Sequence, residues 1–189
     1  MKLEATRGAG AEREMTIRLK VSLERLCRFL VDAKFATFAG NGPRVKSGYI
    51  RIYRYSEDDW DYEDRYTGNL LDTGMEIVRL RSYPIWTMCY RGGMLIGARH
   101  LSRQTFDFLK EALRRPPLET PIRGPPRYSR NKWVYENSID GGLTEFTGFE
   151  RILLGSEAVY QRRYLGGLVH DRGYNIALTN APQDKGPSK

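Results

Sequence analysis

Cysteine is scarce in this chain. Cys27 and Cys89 stand far apart without a C-x-x-C pair, and only His100 and His170 could add soft ligands. Neither a zinc site nor a disulfide framework follows, no metal or cofactor is expected, and reduced cytoplasm is the expected compartment. Long apolar runs are missing as well. The opening MKLEATRGAGAEREM holds no apolar segment that could act as an export signal, and no later run reaches the length that spans a bilayer. Nucleophile and nucleotide motifs are also lacking. Ser156 sits in LLGSEA rather than in a G-x-S-x-G elbow, neither cysteine has a histidine close in sequence, and no glycine-rich loop has Walker or dinucleotide spacing. These absences weigh against an enzyme.

Charge is present in quantity but is unevenly placed. The net charge is +8, with 10 Lys+Arg against 5 Asp+Glu in residues 1–50 and 6 against 3 in residues 151–189. The middle hundred residues balance at 15 against 15, so they lack the concentrated positive face of a dedicated nucleic-acid groove. Any nucleic-acid binding is expected to be weak and sequence-independent, through the basic ends. Solvated tails are the simpler reading of those ends.

What the chain does have is a stretch that recurs. Arg54, Tyr55, Ser56, Trp60, Tyr62, Glu63 and Gly68 stand 73 positions before Arg127, Tyr128, Ser129, Trp133, Tyr135, Glu136 and Gly141. Thr73, Gly74, Glu76, Leu80, Tyr90, Gly92 and Gly93 stand 74 before Thr147, Gly148, Glu150, Leu154, Tyr164, Gly166 and Gly167. One inserted residue reconciles all fourteen identities.

Taken in order, the first fourteen residues carry glycine, alanine and charge without an apolar period, and are expected to be a disordered tail. Ser22 caps an expected helix whose stripe is Leu23, Leu26, Cys27, Leu30 and Val31 and which runs to about Lys34. After the punctuation at Gly40–Pro43, strands are expected at YIRIYRYS, WDYEDRY, MEIVRL and PIWTMCYRG, the second setting Trp60, Tyr62 and Tyr66 on one face. A second helix, QTFDFLKEALRR, opens at Ser102, and its FLKEA echoes FLVDA of the first. Five prolines between 116 and 126 deny the next connector a helix. Strands then return at WVYENSI, FERILL and AVYQRRYLG, and residues 173–189 read as a tail. The expected fold is therefore α+β: a duplicated unit of one helix plus an antiparallel meander over about 22–98 and 99–172. Two such halves would form one pseudo-symmetric domain across 15–172.

Candidate site residues follow from strand parity. Glu76 shares a face with Val78 and Leu80, and Glu150 with Ile152 and Leu154, where a carboxylate is costly unless paired. Each is either a ligand-facing or catalytic acid or a structural glutamate bonded to a neighbouring Tyr, Arg or backbone N–H. Trp60, Tyr62, Trp86 and Tyr90, matched by Trp133, Tyr135, Tyr160 and Tyr164, could frame a flat or cationic organic ligand, although strands and cores also consume aromatic rings. The run EDDWDYED lacks calcium-loop spacing. Its counterpart carries Arg130 and Lys132, which admits contact between the two copies or, more simply, a solvated hairpin.

With FLVDAKFATFAG, WDYEDRYTG, PIWTMCYRGG, FLKEAL, PIRGPPRY and FTGFERI in that order, the chain resembles, from about Cys27 to Arg172, an uncharacterised bacterial and archaeal domain-of-unknown-function family. Some members of that family follow a Cro/repressor-type helix-turn-helix. The resemblance implies a sensing or regulatory role and lends no activity. The family commonly has Asn where Cys89 stands and a second Glu where Met75 stands, so no polar site is carried to those two positions.

Three functions remain in play. The first is a non-enzymatic small-molecule-binding or regulatory module with an unknown organic ligand in the seam between halves. The second is a small enzyme using Glu76 or Glu150 as general acid/base. The third is an interaction or nucleic-acid accessory domain meeting a protein partner or a second copy of itself.

Overall fold

Side chains of alternating character along the strands decide the architecture, because one face of a broad sheet must be covered. The computed structural model describes residues 17–179. β1 (Ile17–Ser22) leads into α1 (Leu23–Ala36), whose first turn is capped by Ser22 accepting from the Arg25 N–H at 3.3 Å. Five strands follow: β2 (Val45–Ser47), β3 (Ile50–Glu57), β4 (Trp60–Thr67), β5 (Leu71–Leu80) and β6 (Tyr83–Met94). A 3-10 turn over Ile96–Leu101 enters α2 (Ser102–Leu113), and the proline-rich connector leads to β7 (Arg127–Arg130), β8 (Trp133–Gly142), β9 (Glu145–Leu154), β10 (Glu157–Leu168) and β11 (Tyr174–Thr179).

Nine strands form one antiparallel sheet in the order β2-β3-β4-β5-β6-β10-β9-β8-β7. Its seam is the β6–β10 pair, in register from Trp86 with Leu168 to Met94 with Tyr160. Both helices lie on the same face. Phe29 of α1 meets the rings of Tyr55 and Trp60 at 5.6 and 5.3 Å, and Phe108 of α2 meets Tyr128 and Trp133 at 5.4 and 5.7 Å. Leu26, Phe29, Leu30 and Ala33 are sealed from solvent, the inward stripe that three-and-four spacing requires. Burying a Leu or Phe side chain contributes ~1.5–3 kcal/mol, so truncating Phe29 to Ala would cost ~3–5 kcal/mol.

This arrangement overturns the expected α+β duplication. Strands hold 55% of the described residues against two helices, and the architecture is mainly β. The two meanders are not separate helix-plus-sheet units, because β6 and β10 satisfy each other's backbone groups and fuse them into one sheet. The tail assigned to residues 173–189 is also corrected in part: Tyr174–Thr179 pair in parallel with β1, and Tyr174 is buried against the Tyr83 ring at 5.1 Å. The disordered tail expected over residues 1–14, and residues 180–189, lie outside the described residues.

Candidate functional site: a charged cavity beneath the helices

Parity along β4 turns Trp60, Tyr62, Asp64 and Tyr66 toward the helices and Glu63 to the open face. A cavity of about 230 Å³ lies there, bounded by Phe38 and Ala39 after α1, by Phe106 and Lys110 of α2, and by side chains of β3 to β6 and β10.

Its floor is acidic. Asp64 and Glu76 are register partners on β4 and β5, 6% and 3% exposed. Lys34, near the end of α1, sets its Nζ 2.5 Å from Glu76 Oε2. One lysine balances one carboxylate. Asp64 relies on the Tyr90 hydroxyl, which donates to its Oδ1 at 2.7 Å. Burial first, and then the Glu76 charge, push the Asp64 carboxyl up to about 7, against the Tyr90 hydrogen bond, Lys34 and Arg162. Near neutral pH Asp64 can give or take a proton. Its second oxygen accepts no hydrogen bond among the described residues and is not sealed within the protein.

Tyr90 reaches Asp64 across β5 because Gly74, its register partner, has no side chain; a Cβ there would sit 2.5 Å from the Tyr90 hydroxyl. Gly148 makes the same room for Tyr164, whose hydroxyl donates to Asn137 Oδ1 at 2.5 Å.

A second cluster adjoins the first. Arg123, on the proline-rich connector, clasps Glu150 through Nε at 3.0 Å and Nη2 at 2.5 Å, while the hydroxyls of Tyr135 and Tyr160 donate at 2.7 and 3.0 Å. Burial alone would raise the Glu150 carboxyl, but Arg123 and the hydrogen bonds hold it below its ordinary value. Glu150 is fully buried and surrounded by donors, the condition of a structural carboxylate. Between the clusters Arg162 donates to Asp72 Oδ1 at 2.5 Å and lies over the rings of Tyr90 and Tyr160 at 4.6 and 5.6 Å, leaving its sealed Nε without an acceptor. Burial raises the Asp72 carboxyl, with Arg162 and Arg123 opposing.

Of the residues singled out from sequence, Glu76, Tyr62 and Tyr90 line the cavity. Glu150, Tyr135 and Tyr160 belong to the Arg123 cluster. The tryptophans are core residues: Trp60 packs on Phe29, Trp133 on Phe108, and Trp86 stacks on Phe146 at 5.7 Å while its indole N–H donates to Leu143 O at 3.0 Å. Tyr164 is spent on Asn137. The two charged hairpins do not meet: Asp59 pairs with Arg81, Arg130 with Glu111, and Glu63 is held on the open face by Arg54 and Arg65.

Sequence reasoning passed over Asp64, Lys34, Arg44, Lys110, Arg123 and Arg162. Asp64 carried a usable signal, since the parity that groups Trp60, Tyr62 and Tyr66 includes it. Arg123 and Arg162 carried none, because their partners come from other elements. Among the described residues no group of three or more His, Cys, Asp or Glu could hold a metal, and no helix is long and apolar enough to cross a membrane.

Fold and site together define a mainly β domain with one broad antiparallel sheet, two helices over one face and a charged cavity beneath them. Residues 64–169 match the family described as a domain of unknown function (DUF5680), and the chain belongs to that family. No curated protein and no solved structure matches the chain.

Proposed function

We propose that this chain is a non-enzymatic small-molecule-binding module whose ligand occupies the cavity between the helices and the sheet. The observation that carries this reading is Asp64: an acid buried in the cavity wall with one carboxylate oxygen that no group among the described residues engages. That oxygen opens on the cavity and offers an acceptor to a donor group on a ligand. The volume supports the reading, since about 150 Å³ already accepts a benzene ring and this cavity offers about 230 Å³. A regulatory output fits the helix-turn-helix fusions that the resemblance implies.

An unbiased thermal-shift screen tests the proposal, because a ligand at a hundred times its dissociation constant stabilises by about 2.7 kcal/mol. Asn69 is exposed at the cavity mouth, so Asn69→Trp should obstruct entry while preserving the fold. Hits that shift the wild type and fail on Asn69→Trp support the cavity; hits indifferent to the variant refute it.

The alternative of a small enzyme draws on the near-neutral Asp64 carboxyl beside Glu76. Under that reading Asp64 is the acid/base, since Glu150 is saturated by donors. Product analysis of each hit incubated with wild type and with Asp64→Asn distinguishes turnover from binding.

A further inference from the structure

The cavity's charges are mostly spent on one another. Glu76 is taken by Lys34, Asp72 by Arg162 and Glu150 by Arg123. Three groups remain outside these pairs. Asp64 on the floor has its open oxygen. Arg44 and Lys110 lie toward the outside, donating only to neutral oxygens, Tyr66 Oη at 3.0 Å and Asn41 Oδ1 at 2.6 Å. Neither cation forms an ion pair among the described residues. Burial lowers the Lys110 ammonium, with Asp107 opposing and Arg114 and Arg44 adding to the lowering, so Lys110 and Arg44 present charge of one sign at the mouth.

Between mouth and floor the walls are aromatic. Tyr53 and Tyr66 stack at 6.1 Å with planes 13° apart, Phe38 turns its edge to Tyr53 at 6.3 Å, and Phe106 contributes from α2. The volume of about 230 Å³ exceeds what one ring needs, roughly 150 Å³, by enough for small substituents but not for a nucleoside phosphate.

We propose that the ligand is a single-ring aromatic or heteroaromatic acid. Its carboxylate sits between Arg44 and Lys110, and an amine or hydroxyl at its far end donates to Asp64. This assignment rests on the reading of the cavity as a ligand site and adds the ligand's chemistry. Each end of such a molecule meets a group the protein leaves unmatched. The anion pairs with two cations that form no ion pair among the described residues, the N–H or O–H donates to the open Asp64 oxygen, and the ring fills the aromatic slot. A neutral hydrocarbon would satisfy none of the polar groups, and a dication would meet the mouth charges head on.

Calorimetric titration with 3- and 4-aminobenzoate, the corresponding hydroxybenzoates, benzoate and aniline tests the assignment at each end separately. At least one amino- or hydroxybenzoate should bind ten or more times tighter than benzoate or aniline. In the Arg44→Ala/Lys110→Ala double variant the affinity for the acids should fall at least tenfold, while aniline is unaffected. In Asp64→Asn the advantage of the amino- and hydroxybenzoates over benzoate should fall at least tenfold. In that variant the amide oxygen can still accept from the Tyr90 hydroxyl, so the local hydrogen bond is kept.

If screening hits blocked by Asn69→Trp prove neutral or cationic and insensitive to the double variant, the ligand class is wrong while the cavity reading stands. If nothing that binds is blocked by Asn69→Trp, the cavity reading fails and takes the ligand class with it.

Discussion

Replacing Asp64 by Asn should change how stability depends on pH, in a direction the structure dictates. The folded-state carboxyl is raised from 3.8 to about 7, so the unfolded chain gives up this proton at lower pH than the folded one. Stability contributed by Asp64 is therefore fully present below about 3.8 and is lost as pH rises through about 7. The amide that replaces it does not titrate. Three pKa units at about 1.36 kcal/mol each make the variant gain on the wild type by on the order of 4 kcal/mol between pH 4 and pH 8. The groups facing Asp64 are Glu76, Lys34, Arg162, Tyr90, Tyr62 and Tyr53, all retained in the variant, and the amide oxygen still accepts from Tyr90. Glu63, Glu136 and Glu150 have lowered carboxyls and contribute the opposite trend, stability lost as pH falls. Both proteins share that trend, so it cancels in their difference. Urea unfolding of wild type and variant at half-unit steps from pH 4 to pH 8 measures the difference curve. A curve flat to within about 1 kcal/mol would refute the burial-driven shift and, with it, the acid/base character of the site.

Further predictions concern the scaffold of the site. Glu150→Gln keeps the shape but leaves Arg123 charged and buried without its counter-ion, which should cost ~3–5 kcal/mol, or roughly 6–20 °C in melting temperature for a chain of this size. Glu150→Gln combined with Arg123→Met should recover part of that loss, and additivity of the two changes in denaturant unfolding would argue against the pair. Gly74→Val should drive its side chain into Tyr90, 2.5 Å from where a Cβ would fall, and abolish the Tyr90–Asp64 hydrogen bond; Tyr90 ring resonances unchanged by NMR would contradict this. Truncation after Arg172 removes β11 and leaves β1 unpaired, so the melting temperature should drop by several degrees, about 1–3 kcal/mol from a lost buried tyrosine and its strand pairing. A truncated chain as stable as the full one would show that the β1–β11 ribbon adds nothing.

Local pattern alone determined much of this protein. The Ser22 cap and a three-and-four stripe through Leu26 and Leu30 specify α1, although Phe29 and Ala33 complete its buried face while the expected Leu23, Cys27 and Val31 are only half-buried; five prolines keep the second connector open, and two-residue alternation sets Glu76 and Glu150 among buried aliphatics. Burial of those two acids follows from neighbours within a single strand, which is why it is legible. What each acid does is not, because its partner arrives from elsewhere in the chain: Lys34 lies 42 residues from Glu76, and Arg123 lies 27 from Glu150. Only the tertiary structure made one of them a member of an open cavity and the other a closed ion pair. The pairing of β6 with β10 likewise has no local signature, since any free strand edge satisfies the backbone equally; that pairing joined two meanders into one sheet and turned the expected α+β duplication into a mainly β fold. Residues 174–179, YNIALT, do alternate at Tyr174, Ile176 and Leu178, but so short a run beside a polar tail settles nothing alone, and it forms a strand because β1 offers an edge alongside. Asp64 shows both influences. Parity along β4 chose its face, and the carboxyl is raised first by burial beneath the roof the two helices provide and then by Glu76 across the strand.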